Sequence, residues 1–271
     1  MLRVAMLGRM SVEVCESRVR LSFAPRERLL ASYLFEFPGR VHRREQLTDM
    51  FWPERPPRQA RAAMNTALWK LRRLLALDGE ANHSDSLQTS STEISFESDS
   101  QIEIDTHRFD SSVRKALMRI SPSAHGERLV ELERAADCYR GRFLDGDDEE
   151  DWVVAERERL HSLYVRCLSE LMRSAAGQSD YESAIYAARK ILAVDNFREV
   201  VMRSLAILLF LNGQRAQAIH ELDRWQRALA KDVGVGPMPE TAGLLSALLS
   251  GAICQDIVRW RSQHLATPVE N

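Results

Sequence analysis

Between Arg58 and Arg73 the side chains Arg58, Arg61, Asn65, Thr66, Trp69, Arg72 and Arg73 recur at helical spacing, opposite an apolar stripe on the same segment. A guanidinium offers a planar fork of donors, and a carboxamide offers a donor beside an acceptor. Arginine can fork onto guanine and asparagine can bridge the adenine edge, so this row suits a helix lying in the major groove of double-stranded DNA. Arg61 and Asn65 are the expected base readers, with Thr66 and Trp69 on the same base-facing side. Arg58, Lys70, Arg72 and Arg73 are expected at backbone phosphates, as are Arg43 and Arg44 just ahead of a preceding short helix. Two plainer readings stay open: Trp69 packing on a neighbouring helix or hairpin, and Arg43 and Arg44 as an ordinary exposed helix start.

Net charge, at -2, would by itself argue against a polyanionic partner. The distribution reverses that argument. Residues 40–77 carry roughly +6 and residues 78–110 roughly -8, so the positive charge is concentrated on the segment that holds the row.

The flanking pattern supplies elements to position that segment. Val4, Met6, Val12, Val14, Val19 and Leu21 recur at even spacing and predict a short strand meander. Pro25 opens a helix carrying Leu29, Leu30, Tyr33, Leu34 and Phe37, and Gly39 stops it. A shorter helix over about 44–52 buries Leu47, Met50 and Phe51, and Pro53, Pro56 and Pro57 end it. The third helix starts at Pro57 and keeps Ala60, Met64, Ala67, Leu68, Leu71, Leu74 and Leu75 on one face. Alternation around 87–89, 94–96 and 102–104 predicts a hairpin. A charged helix face is often only a solvated face, but a short helix, a proline-marked turn and a longer basic helix between strands form a winged helix-turn-helix.

Beyond Phe109 the pattern is helical, with breaks at Ser121-Pro122, 141–146, 177–180, 195–196, 212–213 and 234–239. Ala184 pairs with Ala218 and Ala188 with Leu222 at an offset of about 34 residues, the tetratricopeptide period. Gly177 falls about two residues early relative to Gly213, so two degenerate repeats are predicted. The expected fold is mainly α with a small β component: a winged helix over 1–108, then an all-α tetratricopeptide-like domain over 109–271.

Other chemistry finds no support in the sequence. The N-terminal stretch is too short and too arginine-interrupted for a signal peptide, and the apolar run near Leu205 falls short of the roughly 20 residues of a membrane span. A cytoplasmic protein with no membrane partner is expected. Cys15, Cys138, Cys167 and Cys254 lie far apart, and His42, His83, His107, His125, His161, His220 and His264 lack metal-site spacing, so no metal and no disulfide framework is expected. The acidic run Asp145, Asp147, Asp148, Glu149, Glu150 and Asp151 lacks calcium-loop alternation and reads as charge placed at a helix N-terminus. No phosphate loop, serine elbow or nucleophile and base pairing emerges. The chain is expected to be no enzyme, with no catalytic residues and no cofactor.

Arg26-Glu27-Arg28-Leu29-Leu30, Gly39-Arg40-Val41, Phe51-Trp52-Pro53 and the run from Ala67 to Leu74 resemble the SARP-type activators, named for antibiotic regulatory proteins. Tyr139 to Leu144, Trp152 to Glu158, Gly213 to Ala218 and Leu229 to Pro239 resemble their bacterial transcriptional activator domain. The resemblance implies an OmpR-like winged helix that binds direct repeats near promoters, contacts RNA polymerase holoenzyme and self-associates side by side on DNA. Carried over to this chain, it implies a recognition helix at 58–75 with Asn65, Thr66, Lys70, Arg72 and Arg73 exposed. One departure concerns the hairpin. Relatives present a glycine-tyrosine pair and basic residues to the minor groove, whereas Ser91 to Phe96 here sit amid acids, which implies little wing contact. The competing function is a tetratricopeptide-like interaction module whose winged helix has lost DNA affinity. A ligand for the helical half, the operator sequence and the sign of regulation are not encoded in any motif.

Overall fold

The computed structural model describes residues 1–14, 17–19, 23–77, 83–98, 101–118, 125–147 and 150–253. Leu21, Cys15, Cys254, His264, Asp148, Glu149 and the break at Ser121-Pro122 lie outside the described residues. The chain divides into two compact units, Met1–Ser112 with Asp137–Ser162, and Val113–Ala136 with Leu163–Asn271. Residues 137–162 thus go with the N-terminal unit, a different division from a single cut after residue 108.

In the first unit, β1 (Leu2–Ala5), β2 (Ser11–Val14) and β3 (Ser17–Val19) form the antiparallel meander. Leu2, Val4 and Val12 are buried on one face because strand side chains alternate sides. Helix α1 (Pro25–Glu36) buries Leu29, Leu30, Leu34 and Phe35, and Phe35 meets Phe96 edge to face at 5.1 Å. Then follow β4 (Val41–Arg43), α2 (Arg44–Phe51) and α3 (Pro57–Leu75). The seven side chains buried on α3 are the seven of the sequence pattern.

Strands β5 (Leu87–Thr89) and β6 (Glu93–Phe96) make the hairpin, and β4 adds to its other edge through Val41↔Ser95. Three-residue β4 has no periodicity to read, and the sequence does not announce it. The third alternating stretch, β7 (Ile102–Ile104), leaves the hairpin and pairs parallel with β1, Leu2 opposite Ile102. Its continuation is α4 (Asp105–Met118), whose first residue accepts from the backbone N–H groups of Met6 at 2.8 Å and Leu7 at 2.9 Å. Burial raises the Asp105 pKa, and those backbone bonds pull it back down.

Two acids of the run, Asp147 and Glu150, pair with α1. Asp147 takes Arg28 Nε at 2.7 Å and Glu150 pairs with Arg26, so these acids hold the first turn of α1, while Asp151 begins α6 (Asp151–Gly177).

The second unit has helices and no strand among its described residues. Among the described residues it contains α4 from Val113, α5 (His125–Cys138) up to Ala136, α6 from Leu163, and α7 (Tyr181–Val194), α8 (Glu199–Leu211), α9 (Arg215–Asp232) and α10 (Pro239–Ser250). Ala184 and Ala218 are both fully buried, as small residues must be where paired helices approach closely. The repeat register is clearest at helix ends. Ser179 N–H donates to Ala176 and Asp180 N–H to Ala175; about 34 residues later, Gly213 N–H donates to Phe210 and Gln214 N–H to Leu209. Each set is a Schellman closure around a left-handed residue, with φ +62° at Ser179 and +77° at Gly213. The counterpart of Gly213 is therefore Ser179, which removes the two-residue misfit seen when Gly177 is aligned with it.

Candidate nucleic-acid interface

Helix α3 can present its polar row because its apolar stripe is fully committed to the core. Leu71 and Leu75 are among the buried side chains, and α1 and α2 pack on that stripe. On the other side Arg58, Arg61, Asn65, Thr66, Trp69, Arg72 and Arg73 are all exposed. Exposure leaves a helix face free to enter a groove. What each side chain does there depends on its neighbours.

Arg58 and Arg43 make no side-chain hydrogen bond or ion pair among the described residues, which leaves two unengaged cations on this surface. Arg61 lies 3.6 Å from Glu45 of α2, with both groups largely exposed, a pair too solvated to hold it firmly. Thr66 Oγ1 donates back to the Ala62 carbonyl at 3.0 Å, which leaves its oxygen and methyl outward. Trp69 is 58% exposed and Arg73 lies over its ring at 5.6 Å, so this tryptophan is not packed into a neighbouring element.

Two cations of the expected phosphate set, Lys70 and Arg72, have partners within the fold. Lys70 Nζ donates to Glu27 Oε2 at 2.6 Å, and the same oxygen accepts the Ala24 N–H at 2.8 Å, which ties α3 to the start of α1. Arg72 Nη2 donates to the Leu87 carbonyl at 3.2 Å and to Thr89 Oγ1 at 3.0 Å, so it spans from helix to hairpin. Neither interaction is visible at the level of helix periodicity, because each partner is distant in sequence.

Arg44 is different again. Its N–H donates to the Thr92 carbonyl at 2.9 Å, Nη1 to the Ser90 carbonyl at 3.4 Å and Nη2 to Asn65 Oδ1. Partial burial lowers its pKa, though at a guanidinium this leaves the charge intact. Arg43, Arg44 and Arg61 line a groove of about 530 Å³ together with Glu45, Thr48 and the hairpin residues Ser91, Thr92 and Glu93. Glu45 and Glu93 are the members of this surface that a search for cations passes over; the acidic composition of the hairpin was the available signal.

Among the described residues no group of three His, Cys, Asp or Glu is arranged to hold a metal ion, and no helix is long and apolar enough to cross a membrane. Neither Cys138 nor Cys167 takes part in a disulfide.

A winged helix followed by paired helices defines a winged-helix protein with a tetratricopeptide-like domain. Residues 104–249 match the family described as the bacterial transcriptional activator domain; the chain belongs to that family, in the SARP-type arrangement with a winged helix ahead of it. The regulatory protein AfsR of Streptomyces griseus is 27% identical over 243 residues, which is 86% of this chain and 23% of that protein. The transcriptional regulatory protein MoaR1 of Mycobacterium tuberculosis is 23% identical over 237 residues, 86% of this chain and 75% of that protein. The chain thus spans less than a quarter of the length of AfsR. A solved structure of Mycobacterium tuberculosis EmbR in complex with a low affinity phosphopeptide shares the fold, with a TM-score of 0.73 over 96% of this chain and 69% of that one at 19% identity.

Proposed function

We propose that this chain is a sequence-specific transcription regulator of the cytoplasm that binds double-stranded DNA through α3 and acts without catalysis or cofactor. The observation that carries the reading is the division of α3 into a buried stripe and an exposed polar row bearing Arg58, Arg61, Asn65, Thr66, Trp69 and Arg73. In the major groove, Arg61 and Asn65 face base edges with Thr66 and Trp69 beside them. Arg43, Arg58 and Arg73 meet phosphates. Lys70 and Arg72, engaged within the fold, hold α3 against α1 and the hairpin and contribute to the interface by positioning it. Activation, direct-repeat operators, side-by-side self-association on DNA and contact with RNA polymerase holoenzyme are what SARP-type relatives lead us to expect of it.

The test is a gel shift with duplex DNA from upstream of the chain's own reading frame at two salt concentrations. We expect specific binding that weakens as salt rises, because cations on phosphates release counterions. The Arg61→Ala, Asn65→Ala pair should lower specific affinity by at least about tenfold, the scale of base-edge contacts. Failure of the wild-type chain to bind any duplex overturns the reading and returns the interaction-module alternative.

A further inference from the structure

Arg43 and Arg44 are sequence neighbours with the same charge, yet their surroundings assign them different work. Arg43 is exposed and unengaged among the described residues. Arg44 has both terminal nitrogens occupied, one by the Ser90 carbonyl and the other by Asn65 Oδ1, while its backbone N–H is held by Thr92. A cation serving mainly to grip a phosphate keeps its fork open to solvent. This one is folded across the surface.

Its anchor is stiff. At the hairpin tip the Ser90 Oγ accepts the N–H groups of Thr92 at 3.2 Å and Glu93 at 2.9 Å, and Ser90 N–H donates to the Glu93 carbonyl at 2.9 Å. Hydroxyl-closed turns of this kind fix the carbonyl directions around them. The Ser90 and Thr92 carbonyls therefore hold Arg44 from one side, and Asn65 lies on the other.

The chemistry of the last link sets its direction. A guanidinium has donors and no acceptor, so an amide beside it must present its oxygen. The Asn65 oxygen is thereby turned to Arg44 and the NH2 group is left for whatever lies in front of α3. The two-bond match of asparagine to adenine uses the amide as acceptor and donor together. An amide whose oxygen is already engaged is better matched to an edge that only accepts, such as guanine N7 and O6.

We propose that Arg44 is a positioning residue for base reading: it joins the hairpin tip to the recognition helix and fixes the Asn65 amide as a donor, biasing that position toward guanine. The proposal rests on the DNA-binding function above and adds a specificity mechanism to it.

Selection from a library of random-sequence duplexes, followed by titration of the selected duplex over a range of salt, tests it. Wild-type protein should select guanine at one position of each half-site, and Asn65→Ala should abolish preference there. Arg44→Ala should free the amide oxygen, shifting that position toward adenine with about tenfold less discrimination for guanine, the scale of one well-made base contact. Its slope of log affinity against log salt should stay at the wild-type value, whereas Arg58→Ala should reduce it by about 1. Arg44→Ala in the Asn65→Ala background should change selectivity no further. If Arg44→Ala unfolds, Arg44→Lys, which keeps the charge but replaces the two-nitrogen fork by a single ammonium, takes its place and should give the same shift in weaker form. An Arg44 variant that loses about 1 from the slope while its base preference is unchanged overturns the proposal in favour of a phosphate contact and leaves the DNA-binding function standing. A wild-type chain that binds no duplex overturns both.

Discussion

Glu36, with only 2% of its side chain exposed, accepts a hydrogen bond from Thr106 Oγ1 at 2.6 Å and neighbours Glu156, the second acid of a cluster served by Arg159. Arg159 binds Glu156 at 2.5 Å and Asp110 at 2.6 Å, and stands 3.6 Å from Glu36. One cation therefore faces three carboxyl groups. His107 Nε2 lies 2.9 Å from the Glu36 carbonyl and leaves the carboxyl to the others. Burial, with the neighbouring Glu156 adding to it against the Thr106 bond, pushes Glu36 up to about 9.

The consequence is a stability that falls with rising pH. The unfolded chain releases this proton near the ordinary value of 4.5, while the native chain keeps it to about pH 9. Over that window the unfolded state binds fewer protons, so the contribution is fully present below 4.5 and is lost as pH climbs toward 9. Glu36→Gln keeps the shape and an acceptor for Thr106 and removes the titration. It should stabilise the protein by on the order of 1–3 kcal/mol at pH 8 and do little at pH 4. Melting temperatures of both proteins across that range check it; parallel curves would refute it.

Acidic neighbours of the groove should hold DNA affinity below what its arginines could reach. Glu93 is exposed at the hairpin tip, opposite Arg43 in the β4–β6 register. Glu93→Gln should raise affinity about two- to fivefold at low salt, with a smaller gain at high salt because screening weakens exposed charges. Titration at two ionic strengths measures both. Unchanged affinity at low salt would mean that the hairpin tip lies away from the duplex.

Lys70 and Arg58 should separate stability from binding. Lys70→Met breaks the tie to Glu27 and should cost roughly 1 kcal/mol of stability, while the salt slope of binding stays at its wild-type value. Arg58→Ala should leave the melt unchanged and lower the slope by about 1. Denaturant melts and salt titrations on both variants give the answer, and a lower slope in the Lys70 variant would return that residue to the phosphate set.

Ser179 occupies the left-handed backbone that Gly213 occupies one repeat later. A side chain costs roughly 1 kcal/mol there, so Ser179→Gly should stabilise the helical unit by about 0.5–1 kcal/mol and Gly213→Ala should destabilise it by about 1 kcal/mol or more. Chemical denaturation distinguishes the two signs.

Sequence alone determined the elements whose signal is local. The α3 stripe from Ala60 to Leu75, the proline starts at Pro25 and Pro57 and the helical second half are written in spacing and caps, because a helix buries one face and that face repeats every three to four residues. The exposed row from Arg58 to Arg73 follows from the same periodicity. Tertiary structure alone decided what reaches across the chain: the parallel pairing of β7 with β1, the three-residue β4, and the partners that turn Lys70 to Glu27, Arg72 to the hairpin and Arg44 to Asn65. Such contacts join residues 15 to 100 positions apart, where no periodicity extends, and they depend on where packing brings two surfaces together. A pattern of residue types identifies which side chains face outward; only the assembled neighbours determine which of those cations remain open to a phosphate.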